Sequence, residues 1–110
     1  LPIAVVVGRF TNMKGGRKAE LLLKERFELA EGLFAEMVIW RVPGEVRGSA
    51  HNLKYRLALV ENGVCLVRYD NEAGKGDHKH VGTRETRYEF QGLDTLQADF
   101  WADVERRLKR

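Results

Sequence analysis

Only one cysteine, Cys65, occurs in the 110 residues, so no internal disulfide can form and the chain reads as a protein of a reducing compartment. Prolines number two, which excludes collagen-like and proline-rich chains. Long hydrophobic runs are missing as well. The longest, Ile3–Val7, is five residues, against the roughly 18 or more that suggest a membrane-spanning helix. With a proline and no basic flank before it, that run is also too short for a signal peptide. Charge of one sign is lacking too: 19 Lys+Arg stand against 16 Asp+Glu, a net charge of +3. That balance permits a nucleic-acid or acidic partner without demanding one. What is present is a 44% hydrophobic, 32% charged chain, long enough for a single folded core without staples. The expectation is one small soluble domain, cytoplasmic, with no membrane association.

Residues 1–17 form an irregular or extended N-terminal segment in this reading, with Ile3–Val7 as a candidate strand. Residues 18–110 form the domain proper. From Ala19 to Val42, apolar residues at odd positions (Leu21, Leu23, Phe27, Leu29) argue for strands over helix. Glu31-Gly32 is a candidate two-residue turn, which sets Leu29 opposite Phe34, Phe27 opposite Glu36, and Leu21 opposite Val42. Asn62-Gly63 is a type I′ turn signal that pairs a second hairpin. Its register sets Val60 opposite Cys65, Leu59 opposite Leu66, Leu57 opposite Arg68 and Tyr55 opposite Asp70. One face of that hairpin then presents Tyr55, Arg68 and Asp70 together at its open end, with His51 nearby.

Residues His78–Val81 and Arg84–Phe90 supply two further short strands. Asp94 is the expected N-cap of a C-terminal helix, with Gln97 closing a capping box and Leu93 with Ala98 as a weak staple. Leu96, Phe100, Val104 and Leu108 give that helix one apolar stripe, with Trp101 beside it. The fold class is α+β: an antiparallel β-meander of about four to six strands covered by one C-terminal helix.

The chemistry concentrates between Arg68 and His80, where two of the three histidines, three carboxylates and several cations surround Gly74 and Gly76. At strand spacing, His78 and His80 share a face about 6.5–7 Å apart. Two imidazoles so placed can act as general base and general acid across a phosphodiester. Lys75 and Asp70 complete the candidate catalytic set, while Lys54, Arg56, Arg68 and Lys79 are the candidate nucleic-acid contacts. A nucleophile within the substrate is then required, and the ribose 2′-hydroxyl supplies one, which makes RNA the expected target. No cofactor is expected. A metal held by the histidine pair with Asp70, Asp77 or His51 is an alternative. A solvated polar loop without function also accounts for the same residues. Gly74-Lys75-Gly76 lacks the length and the Ser/Thr of a P-loop, and Cys65, in an apolar strand, reads as core.

The segment Tyr69–His80, preceded by Lys54-Tyr55-Arg56-Leu57 and the Asn62-Gly63 turn, resembles the TumE family of toxins from toxin–antitoxin systems. The likeness runs from about Lys18 to Val104 and includes Val38–Pro43. It departs from the family pattern at Asn52-Leu53 after His51, and at Lys79, where arginine is commoner. The resemblance implies a type II toxin neutralised by a cognate antitoxin, typically a helix-turn-helix protein; a homodimer is left open. The leading expectation is a metal-independent ribonuclease that inhibits growth. The alternatives are a non-enzymatic toxin that binds nucleic acid or the ribosome, and a metal-dependent nuclease.

Overall fold

The computed structural model describes residues 10–14 and 17–109; the candidate strand Ile3–Val7 lies outside them. Seven strands follow one another: β1 (Phe10–Lys14), β2 (Arg17–Ala30), β3 (Leu33–Arg41), β4 (Leu53–Glu61), β5 (Val64–Asp70), β6 (His78–Val81) and β7 (Arg84–Arg87). They pair in sequence order, each antiparallel to the next, and one helix, α1 (Leu93–Leu108), follows. The expected α+β meander under a C-terminal helix is what the chain forms, carried to seven strands.

The period-2 pattern explains which face is covered. Along β3, Leu33, Ala35, Met37 and Ile39 are buried, and their neighbours are half-exposed. Tyr55, Leu57, Leu59, Val67 and Tyr69 continue the same surface across β4 and β5. Leu96, Phe100 and Val104 of α1 close over it, all fully buried. Trp101 packs edge-on against both Phe27 and Phe100, with ring centroids 5.3 Å apart in each pair. Leu108, expected to extend the stripe, is 42% exposed. A four-residue repeat on a helix of 3.6 residues per turn drifts by about 40° per step, so the fourth position has rotated off the sheet.

Both hairpin turns lie where the sequence placed them, yet both registers differ from expectation. In β2–β3, Ala30 pairs with Leu33, Phe27 with Ala35 and Leu21 with Trp40, with irregularities that leave Leu22 and Leu29 unpaired. The expected Leu29–Phe34, Phe27–Glu36 and Leu21–Val42 pairs are therefore displaced. Shifting Phe27 beside Ala35 sets two buried residues side by side. In β4–β5, Asn62 (φ 49°) and Gly63 (φ 82°) make the left-handed pair of a type I′ turn, and Val60 meets Cys65 as expected. Leu66 then bulges out, so Leu59 meets Val67, Leu57 meets Tyr69 and Arg56 meets Asp70. That one extra residue moves Tyr55 to the face opposite Arg68 and Asp70. Tyr55 belongs to the core; Arg68 and Asp70 do not.

Two element ends also moved. Strand β7 stops at Arg87 instead of Phe90, although the Tyr88 N–H still donates to the Asp77 carbonyl at 3.0 Å. The helix starts at Leu93, capped by Gly92 at φ 105°, and not at Asp94. No capping box forms. Gln97 donates instead to the Leu93 carbonyl at 3.2 Å, and Asp94 lies in the first turn, where the helix dipole favours a carboxylate.

Candidate functional site

On the sheet face turned away from α1, cross-strand pairing lines up two polar rows. One runs Arg56, Asp70, His78, Arg87 across β4 to β7. The other runs Arg68, His80, Glu85 across β5 to β7, next to the buried Ala58 of β4. Directly opposed residues on an antiparallel pair share a face, so the β5–β6 register sets Arg68 and Asp70 beside the histidines, and the bulge at Leu66 brings Arg56, in place of Tyr55, into their row. The result is an open groove walled by Arg56, Arg68, Asp70, His78, His80 and Glu85, and rimmed by Glu72, Ala73 and Lys75.

His78 forms the buried floor of the groove. Its Nδ1 lies 3.0 Å from the Gly76 carbonyl, and its Nε2 lies 3.2 Å from Asp70 Oδ1 and 3.4 Å from Glu85 Oε2. Its Nδ1 is tied to the backbone, and its Nε2 faces the two carboxylates. His80 differs. Arg68 Nη2, which can only donate, lies 2.7 Å from His80 Nε2, so that nitrogen presents its lone pair. Glu85 Oε2 lies 3.3 Å from the same atom. The two rings are 5.5 Å apart by centroid and inclined at 68°. Arg68 Nε lies 2.7 Å from Asp70 Oδ2 as an ion pair, but too far off line to count as a hydrogen bond.

Glu85 was not among the expected site residues, and it is the hub of the groove. Besides both imidazoles, it holds Lys75 Nζ at 3.2 Å. That hydrogen bond, with the positive charge behind it, keeps the Glu85 carboxyl below its ordinary pKa against a small opposing effect of burial. A signal for it existed: Gly82-Thr83 is a two-residue turn between the expected strands, and counting back from it sets Glu85 opposite His80.

Of the expected contacts, Arg56, Arg68 and Lys75 reach the groove, and Lys54 lines a shallow depression beside it with Arg47, Glu72 and Ala73. Lys79 does not. It lies opposite Tyr69 on the helix side, with Nζ 3.2 Å from Asp103 Oδ2. Asp103 also accepts from Tyr69 and Arg106. Burial raises the Asp103 pKa, but the Tyr69, Arg106 and Lys79 hydrogen bonds outweigh it and hold the carboxyl below its ordinary value.

His51, weighed as a neighbour of the site, is a structural anchor. Its Nε2 lies 2.8 Å from Asp77 Oδ2, while its Nδ1 accepts the Leu53 N–H at 3.1 Å. Its ring stacks on Phe90 at 3.9 Å between centroids. Asp77 also accepts from Ser49 Oγ at 2.5 Å and from the Tyr55 hydroxyl at 2.7 Å. Burial raises the Asp77 pKa, and those three hydrogen bonds bring it down overall. Burial and the Asp77 bond push the Tyr55 phenol well above its ordinary value. The loop at 42–52 is thereby locked to the loop at 71–77, and Gly48 fits only as glycine. A Cβ there would lie 2.5 Å from the Gly76 nitrogen, at a φ of 85°.

The model of the family described as Toxin TumE matches residues 10–108, nearly the whole chain. The chain belongs to the TumE toxin family. No curated protein and no solved structure matches it. As a TumE toxin, the chain implies a cognate antitoxin as partner. Among the described residues, no helix is long and apolar enough to cross a membrane.

Proposed function

We propose that this TumE toxin is the growth-inhibiting half of a toxin–antitoxin pair and acts as a metal-independent ribonuclease through the His78–His80 groove. The observation that carries the reading is the unlike surroundings of the two imidazoles. His80 Nε2 lies 2.7 Å from Arg68 Nη2, which can only donate, and 3.3 Å from Glu85. His78, by contrast, has no donor beside either ring nitrogen among the described residues, with Nδ1 at the Gly76 carbonyl and Nε2 at Asp70 and Glu85. In RNA cleavage, His80 takes the proton of the ribose 2′-hydroxyl as its oxygen attacks the adjacent phosphorus. His78 gives a proton to the departing 5′-oxygen. The products are a 2′,3′-cyclic phosphate and a 5′-hydroxyl end, and no water, metal or redox partner is consumed.

Entry of the phosphodiester draws Arg68 from His80 to the phosphoryl oxygens, where Arg56 and Lys75 add countercharge as negative charge develops. The Gly76 carbonyl orients His78 through Nδ1, which leaves Nε2 to face the substrate, and Asp70 holds Arg68 in place. Glu85 spaces the two rings. The antitoxin, a helix-turn-helix protein in this reading, neutralises the toxin by covering this groove.

The test uses the purified toxin, freed of antitoxin, on matched RNA and DNA strands with and without a chelator. RNA cleavage that persists in chelator, with DNA intact, is expected. Cleavage of DNA, or loss of RNA cleavage on chelation, rules out the metal-free mechanism. Toxicity that depends on His78 and His80 with no RNA cut favours a toxin that only binds its target.

A further inference from the structure

The same groove holds three metal-type donors on two adjacent strands. His78, His80 and Glu85 each offer one ligand atom, and these atoms lie within 4.8 Å of one another. Glu85 Oε2 is 3.4 Å from His78 Nε2 and 3.3 Å from His80 Nε2. A tetrahedron with metal–ligand bonds of about 2.0–2.1 Å has edges of about 3.3–3.4 Å, the spacing of zinc ligands. Both Glu85 distances already match that edge before any ion arrives. His78 has in addition the outer support that metal-bound imidazoles show: its Nδ1 is held by the Gly76 carbonyl at 3.0 Å, leaving Nε2 for the metal.

We propose that His78, His80 and Glu85 bind a zinc-class divalent cation, and that this cation switches off the proposed RNA cleavage. The donor set selects the ion. Two imidazoles and one carboxylate suit zinc, whereas magnesium and calcium take oxygen ligands. Three protein ligands leave one position for water or for Asp70, whose Oδ1 is 3.2 Å from His78 Nε2. Local charge does not forbid the ion, because Asp70, Glu72 and Glu85 offset Arg56, Arg68 and Lys75 around the groove. Zinc displaces two donors on entry, Arg68 from His80 and Lys75 from Glu85. By occupying both imidazole Nε2 atoms, it removes the base and the acid together. The metal site stands on donor geometry alone, and only its inhibitory effect rests on the cleavage reading.

The test titrates the full chain, stripped by chelator, with Zn2+ by calorimetry and with Co2+ by its visible spectrum. One ion per chain with the intense bands of four-coordinate Co2+ is expected. Glu85→Gln and His80→Ala should weaken binding beyond the roughly 10- to 100-fold that losing an outer-shell partner costs. Arg68→Met, which removes the donor competing for His80, should tighten it. The Glu85 side chain is 39% exposed and lies outside the core, so its isosteric variant keeps the test decisive if a histidine variant does not fold. No uptake, or uptake undiminished in Glu85→Gln, overturns the site. Zinc that binds there and leaves RNA cleavage unchanged, or raises it, overturns the inhibitory role. One bound ion in a chain that cuts no RNA even in chelator supports the metal site while removing the cleavage reading.

Discussion

The Asp77 carboxylate and the His51 imidazole, 2.8 Å apart, fasten the loop at 42–52 to the loop that carries Lys75 into β6. Asp77 accepts three side-chain hydrogen bonds there, one from the almost fully buried Tyr55. Asp77→Ala leaves that phenol without its partner, a loss of about 1–3 kcal/mol for a buried polar group. The loosened loop also frees Lys75 from Glu85. The variant should melt lower than the parent and show weaker toxicity. A melting temperature within a degree of the parent would remove Asp77 from its anchoring role.

Phe100 tests the cover over the sheet. Its ring is fully buried between Tyr69 and Trp101. Phe100→Ala should lower unfolding free energy by about 3–5 kcal/mol, the usual range for deleting a buried aromatic. Urea unfolding with an unchanged midpoint would mean that α1 contributes little to the core.

These two sites differ in how far the sequence revealed them. Phe100 was legible, because a helical stripe needs only a 3.6-residue period, and His78 with His80 was legible because strand neighbours alternate by two. Asn62-Gly63 likewise declared its turn. The bulge at Leu66 was not legible: an extra residue in a continuous apolar strand leaves no mark in Val64-Cys65-Leu66-Val67. That single residue decided whether Tyr55 or Arg56 would face Asp70. Lys79 was misplaced for a related reason, since charge alone does not say which face a strand residue takes. Its partner Asp103 lies 24 residues away on α1. The helix start was hidden by Gly92, whose left-handed φ turns the chain into the helix before the better capping residue arrives.

Asp103 gives the fold an acid-sensitive clasp. Its carboxyl sits below the ordinary value of 3.8 in the folded chain, so the folded state holds its proton less tightly than the unfolded one. The stability this adds is complete above the unfolded pKa and is lost as pH falls through the folded one. Denaturation midpoints should therefore drop as pH is lowered below about 4. Asp103→Asn should flatten that part of the profile while leaving the parent's slope elsewhere. An acid limb identical in parent and variant would show that Asp103 does not carry it.

The proton-transfer pair gives the sharpest test of the cleavage reading. His78→Ala and His80→Ala should each lower RNA cleavage by about 10²- to 10⁴-fold, the usual worth of a positioned acid or base. The double variant should fall little further, because one transfer without the other leaves the step stalled. Stability separates the two residues. His78 is 6% exposed and tied to the Gly76 carbonyl through Nδ1, so its removal should lower the melting temperature, whereas His80 is half-buried and its removal should cost less. His80→Ala is therefore the cleaner probe, with melting followed beside cleavage on the same preparation. Effects that multiply fully in the double variant would assign the two rings to independent tasks, substrate binding among them, and would end the paired acid–base assignment.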